Sequence, residues 1–295
     1  MGIELKSLGV TVGPKVVSWT DRDTLLYALG VGAGADDLAL TTENSHDLPQ
    51  KVLPTFGVIV AAGFEALPLV GRPNWGRLLH GAQEIRVCRP LVPAGSLAVT
   101  SRIGEIRDKG PGKNAVVVLL GTGADPESGE TLVTTRTTLV FRGEGGFGGS
   151  PGEKPEPQPV PDREPDAQVV FATDERLPLI YRLSGDRNPL HSDPWFARER
   201  AGFPQPIIHG LCVYGIAGRA LVSVLGDGDP DRLSSLSVRF TSPTFPGETL
   251  TTSVWRTDEG SAVFRTEAAG PDGSAPRAVL DEGRATCHPA QGPTS

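Results

Sequence analysis

Sulfur is scarce in this chain. Its 295 residues include three cysteines and one methionine. Cys88, Cys212 and Cys287 are far apart and odd in number, so they build neither a disulfide framework nor a Cys-x-x-Cys metal pair. Basic charge is short as well. With 28 Lys and Arg against 35 Asp and Glu, the net charge is -7 and the pI about 5.3. No basic excess exists to displace counterions from a phosphate backbone, which argues against a nucleic-acid partner. Long apolar runs are missing: none approaches a membrane span, and the opening MGIELKSLGVTVG has neither a signal core nor a transit pattern. The expected setting is the reducing cytoplasm, with no membrane partner. Histidine is limited to five. His46, His80 and His288 stand alone and read as surface or structurally satisfied residues. Without HExxH or a Cys/His cluster, no metal site is expected.

What is present is a packed-core composition, 38% hydrophobic and 21% charged, arranged twice. DRDTLLYALGVGAGADD, then the apolar VLPTFGVIVAAGFEAL, then several strand-like segments occupy the first half. DERLPLIYRLSGDRNPLHSD, then PIIHGLCVYGIAGRALVSVL, then further strands occupy the second. Tyr27 precedes Gly57 by 30 positions and Tyr181 precedes Gly210 by 29. Gly57 precedes Gly95 by 38, and Gly210 precedes Gly247 by 37. Two copies in this order indicate a duplicated unit rather than a solenoid. GEGGFGGSPGEKPEPQPVPDREPD between them is rich in Gly, Pro and charge and reads as a surface linker. The expected organisation is residues 1–145, a linker at 146–165, residues 166–288 and a flexible tail at 289–295.

Each unit reads as one long apolar helix followed by antiparallel strands. Residues 207–222 are apolar almost all round, the mark of a buried helix. Leu236, Val238 and Phe240 alternate with polar neighbours, as in a half-buried strand. A helix wrapped by an antiparallel sheet is the hotdog arrangement, so the expected fold is α+β, a double hotdog. GVGAGA, Gly30 to Ala35, imitates part of a dinucleotide fingerprint, but it follows a predicted helix instead of opening one.

Chemistry concentrates in YRLSGDRNPLHSDPWFARERAGFPQPIIHG. Asp186, Asn188 and His191 fall within six residues, held off a helix by Gly185 and Pro189. Asp and Asn are also ordinary turn residues, and His191 could cap the helix of SDPWFARER. Downstream, Gly210 opens the buried helix, where free N–H groups and the helix dipole favour developing negative charge. An acid–base pair beside such a site suits chemistry next to a carbonyl. When the copies are aligned on Tyr27 and Tyr181, Gly32 stands for Asp186 and Phe56 for His209. The first copy keeps the frame without the acid, the amide or either histidine.

This segment closely resembles the hydratase 2 signature of MaoC-like (R)-specific 2-enoyl-CoA hydratases, which include the hydratase unit of peroxisomal multifunctional enzyme type 2. LLYALGVGAG, LPTFG, LLHG and GEGGFGG resemble the first half of two-unit members, and the likeness spans roughly residues 5 to 288. The resemblance implies reversible hydration of trans-2-enoyl-CoA to (R)-3-hydroxyacyl-CoA in a homodimer of lipid metabolism, with no cofactor beyond the CoA of the acyl-CoA substrate. It implies Asp186 and His191 as the catalytic pair and Asn188 as an orienting residue. Gly210, with His209 beside it, would receive the thioester oxygen. The first unit would house a long or bulky tail, fatty acyl or steroid side chain, with Phe56, Gly57 and Ala61 as expected pocket residues. Two alternatives stay open: a 3-hydroxyacyl-thioester dehydratase acting on carrier-protein substrates in fatty-acid or polyketide synthesis, and a hotdog acyl-CoA thioesterase.

Overall fold

Strands form where apolar and polar residues alternate, and the alternation repeats with the units. The computed structural model describes residues 2–153, 159–271 and 273–289. In the first unit, β1 (Thr11–Trp19) leads through α1 (Asp21–Gly30), α2 (Leu38–Thr41) and α3 (Gly57–Val60) into β2 (Leu78–Val87), β3 (Gly95–Asp108), β4 (Ala115–Ala124) and β5 (Thr131–Phe141). The second unit contributes β6 (Ala167–Ala172), α4 (Leu177–Tyr181), α5 (Pro194–Glu199), α6 (Gly210–Leu225), β7 (Leu233–Phe240), β8 (Thr249–Asp258), β9 (Ser261–Ala269) and β10 (Arg277–Cys287).

The ten strands of the described residues join one antiparallel sheet in the order β1-β3-β4-β5-β2-β7-β10-β9-β8-β6. From either edge inward the order is the unit's first, third, fourth, fifth and second strand, so the duplication read from spacing is also one of topology. The halves meet where β2 pairs β7, from Ala82 opposite Arg239 to Arg86 opposite Ser235. They meet again at the tyrosines that anchor the repeat: the Tyr27 and Tyr181 rings lie 6.1 Å apart. The fold is the expected α+β double hotdog.

The second unit has its central helix. Residues of α6 from Cys212 to Gly218, then Ala220, Leu221, Val222 and Leu225, are buried. Glycine lets the halves approach there: a Cβ on Gly215 would lie 2.4 Å from Val31 Cγ1.

The first unit's long helix does not form. VLPTFGVIVAAGFEAL breaks into a 3-10 turn at Pro54–Phe56, the single turn of α3, and a 3-10 segment at Phe64–Val70. Two features stop it. Gly63 has φ 74, the left-handed region. The Ala61 carbonyl accepts the Thr135 hydroxyl at 2.6 Å, so a sheet side chain takes it in place of a helical N–H.

The glycine-rich start of the expected linker is held rather than free. The Asp108 carboxylate accepts the N–H groups of Gly110, Gly146, Gly148 and Gly149. These bonds, led by Gly146, hold its carboxyl down to about 2. Residues 154–158 of the linker and 290–295 of the expected tail lie outside the described residues.

Candidate active site

The loop that carries the site begins where α4 ends. Gly185, at φ 133, turns the chain out of the helical path in a conformation that favours glycine. Asp186 Oδ1 then accepts the Asn188 N–H at 3.0 Å, and Asn188 Oδ1 accepts the Leu190 N–H at 3.0 Å. Asn188 therefore fixes the Asp186 carboxylate through its backbone and caps the short turn that bears His191. The helix after it is capped by Asp193, whose carboxylate accepts the Trp195 N–H at 2.9 Å, leaving His191 free of that duty.

The segment entering α6 is stitched to this loop. The Ile207 N–H donates to the Leu190 carbonyl at 3.3 Å, and His191 Nδ1 donates to the Ile207 carbonyl at 2.9 Å. A carbonyl can only accept, so the neutral His191 ring carries its proton on Nδ1 and presents a lone pair at Nε2. Nε2 lies 4.0 Å from Asp186 Oδ2, with the His191 side chain 9% exposed and that of Asp186 54%. Such a gap is too long for a direct hydrogen bond. It suits one water bonded to both groups at about 2.8 Å, which closes an angle of roughly 90° at the water. Burial lowers the His191 pKa, against the opposing pull of the Ile207 carbonyl and the Asp186 charge.

His209 stacks on His191, ring centroids 3.6 Å apart and planes 24° from parallel. Its Nε2 donates to the Asp186 carbonyl at 3.2 Å, while its buried Nδ1 has no partner among the described residues. Burial first, then the neighbouring His191 charge, pushes its pKa down to about 4. His209 thus supports the pair from behind. Next to it, Gly210 begins α6. The Cys212 and Val213 N–H groups turn back to the His209 carbonyl, and helix geometry leaves those of Gly210 and Leu211 without helical partners. The site therefore holds two proton acceptors facing one water-sized gap, and the N-terminus of α6 follows directly on His209.

Ligand atoms of Asp186, His191 and His209 all lie within 4.8 Å of one another, a spacing a metal ion could use. The stacking argues otherwise: an ion needs two in-plane lone pairs to converge, and those of stacked rings run side by side.

The expected tail-pocket residues are placed elsewhere. Phe56 packs edge-on against Trp19 and Tyr27, at 5.9 and 5.4 Å between ring centroids. A Cβ on Gly57 would lie 2.6 Å from Ile85 Cδ1, and Ala61 is wholly buried in the main core. These small residues serve close packing of the broken helix on the sheet. A cavity of about 480 Å³ opens instead between residues 36–53 and the outer turns of α6. Leu38, Leu48, Leu53, Ile216 and Val222 line it with the neighbouring β6 residues, and Arg219 closes one edge by pairing with Asp37 at 2.6 Å. The sequence reading missed it because residues 36–53 carry no periodicity.

His46 and His288 are exposed, but His80 is not the bystander it reads as. It is half-buried against Phe240, and the Asp186 charge reaches it. LLHG carries part of the family likeness, and nothing in its spacing points to the site.

Residues 17–143 match the family described as MFE-2 hydratase 2 N-terminal domain, and residues 156–272 that described as MaoC like domain. The 3-hydroxyacyl-thioester dehydratase Y of Mycobacterium tuberculosis is 59% identical, over 96% of this chain and 98% of its own. Enoyl-CoA hydratase ChsH3 of the same organism is 44% identical, over 85% of this chain and 88% of that one. A solved MaoC-like dehydratase from Phytophthora capsici matches with a TM-score of 0.85 over 98% of this chain and 99% of that one, at 29% identity.

Proposed function

The chain belongs to the MaoC-like hydratase 2 family of hydro-lyases, and from that premise we propose that it adds water reversibly to trans-2-enoyl-CoA to give the (R)-3-hydroxyacyl thioester. The observation that carries the reading is the 4.0 Å gap between His191 Nε2 and Asp186 Oδ2. Both atoms accept, so a water between them points one hydrogen at each and turns its oxygen outward. Attack of that oxygen on the β carbon sends the electron pair of the double bond toward the thioester, and negative charge gathers on its oxygen. The Gly210 N–H at the positive end of α6 is suited to stabilise that charge. One of the two acceptors takes a proton from the attacking water, and return of that proton to the α carbon leaves hydroxyl on the β carbon, hydrogen on the α carbon and both groups as they began.

The acyl tail is assigned to the cavity beside α6. At about 1.5 Å rise per residue, Ile216 lies roughly 9 Å and Ser223 roughly 20 Å along the helix from Gly210. Such a cavity is beyond the reach of a four-carbon chain and suited to a long or bulky one.

The 59% identical dehydratase favours a second reading, in which the same transition state is crossed in reverse on a carrier-protein thioester. Incubation with trans-2-enoyl-CoA and with the matching carrier thioester, followed by chiral analysis of the product, tests both. Formation of (R)-3-hydroxyacyl-CoA without release of free CoA is expected. An (S) product, release of free CoA, or turnover of the carrier thioester alone would overturn the reading.

A further inference from the structure

We propose that His80, contributed by the half that lacks the acid–base pair, is a positioning residue for the oxyanion donor: it holds the Phe240 ring against the first residue of α6 and so fixes where the Gly210 N–H points. The inference rests on the hydration reading above.

The geometry begins with a bulge. The pairing of β2 with β5 slips between His80 and Ala82, leaving Gly81 as the extra residue. Bulges re-aim the side chains beside them. No larger residue fits easily, because a Cβ on Gly81 would lie 2.9 Å from Val140 Cγ2. The re-aimed His80 ring meets Phe240 edge to face, centroids 4.8 Å apart at 60°. Phe240 belongs to β7, across the line where the two halves of the sheet join. Its ring in turn backs Gly210: a Cβ there would lie 3.2 Å from both Phe240 Cδ1 and Cε1. His80, Phe240 and Gly210 are therefore stacked in series, from the silent half to the oxyanion donor.

His80 is itself held in one rotation. Gln83 Nε2 donates to the Glu84 carbonyl at 3.0 Å, which turns Gln83 Oε1 toward the imidazole. That oxygen accepts from Thr137 Oγ1 at 2.9 Å and from His80 Nε2 at 3.1 Å. The neutral ring thus carries its proton on Nε2. Gln83 and Thr137 are 2% and 1% exposed. Mere filling of the joint would need no buried polar network, which is costly unless every member is satisfied. What the network adds is a fixed ring plane. Burial, opposed by the Gln83 amide and the Asp186 charge, pushes the His80 pKa down to about 4, so the wedge stays uncharged in the neutral range.

The test uses the full chain, four-carbon trans-2-enoyl-CoA, and the carbonyl stretch of a bound enoyl thioester. His80→Ala is expected to lower kcat about tenfold, short of the roughly 10²–10³-fold lost with a whole oxyanion donor. KM should change little, and the carbonyl stretch should move back toward its value in water. His80→Phe, which restores a ring against Phe240 but not the bond that fixes its plane, should recover only part of the loss. Phe240→Leu should match His80→Ala, and the double variant should be no worse than either alone, because both act through one contact. A merely structural role would lower the melting temperature and leave the carbonyl stretch where it was. A folded His80→Ala with wild-type kcat and carbonyl stretch, or additive losses in the double variant, would overturn the proposal. Should His80→Ala not fold, an unshifted carbonyl in Phe240→Leu overturns it equally. An inactive wild-type protein would overturn the hydration reading instead, while the carbonyl stretch, which needs binding and no turnover, still decides the role of His80.

Discussion

At the residue scale, the hydrogen bond from His191 Nδ1 to the Ile207 carbonyl governs the chemistry, because it dictates which nitrogen keeps a lone pair. With Nε2 unprotonated and aimed at the Asp186 side of the gap, each residue contributes an acceptor that the other cannot replace. Asp186→Asn and His191→Ala should each slow hydration by about 10²–10⁴-fold, the usual worth of a positioned acid–base group. Melting temperatures should stay close to wild type for Asp186→Asn, since that side chain is largely exposed. Steady-state kinetics with a purified variant at near-wild-type rate would refute the assignment. The pH dependence has a definite sign. Burial lowers the His191 pKa, so the acid limb of kcat/KM should fall below the ordinary histidine value of about 6.5, with activity lost as Nε2 takes a proton. Stability follows the same direction. His80 and His209 resist protonation until about 4 in the folded chain, while the unfolded chain binds those protons near 6.5. The unfolded state therefore holds more protons between these values, and thermal stability should rise with pH across that window.

At the element scale, α6 and the interrupted stretch before β2 are the two copies of one feature, and they show what a pattern can and cannot reveal. The helix of the second unit was legible because its residues are apolar almost all round for four turns, and the one carbonyl taken by a strand side chain, that of Val224 by Arg256, lies in its last turn. The strands were legible for a similar reason, in that Leu236 and Val238 alternate with less buried neighbours. VLPTFGVIVAAGFEAL is about as apolar but has not the same structure, since the Thr135 hydroxyl and the left-handed Gly63 end the helix after one turn. The first cause is a tertiary contact and the second a single backbone conformation, and periodicity records neither. Asp186, Asn188 and His191 could be found because all three sit in one short loop; His80 could not, because it arrives across the joint between β2 and β7. The glycine and alanines of the broken helix change meaning accordingly. Gly57→Leu would press on Ile85 and Val133, where a Cβ alone would come within 2.6 and 2.9 Å. Overpacking of this kind costs roughly 1–3 kcal/mol. Gly57→Leu and Ala61→Phe should therefore lower the melting temperature by several degrees and reduce turnover of short and long substrates alike. A selective loss on long substrates in a protein of unchanged stability would return these residues to the tail pocket.

At the scale of the whole molecule, the two copies have diverged in structure. The second unit keeps an uninterrupted helix and, with it, the N-terminus to which the proposed reading gives the oxyanion. The first gives up its helix, and residues 36–53 spread over the outer turns of α6, leaving a cavity of about 480 Å³. Its walls come from both halves, Leu38 and Leu48 from the first and Ile216 and Ser223 from α6. The Asp37–Arg219 pair at 2.6 Å ties those walls together. If the tail of the substrate lies there, filling the cavity should affect substrates according to their length. Ser223 is the position to use, because it is exposed at the rim and its replacement leaves the core of α6 undisturbed. Ser223→Trp should reduce kcat/KM for long or ring-bearing enoyl-CoA about tenfold or more, in line with a loss of roughly 1.5–3 kcal/mol when a large apolar group can no longer be buried. The four-carbon substrate, whose reacting end lies at Asp186 and His191, should keep its wild-type rate. A chain-length series with a melting curve for each protein separates the outcomes: equal rates on every substrate would mean that the cavity takes no part in catalysis, and equal losses that the substitution acts on the fold.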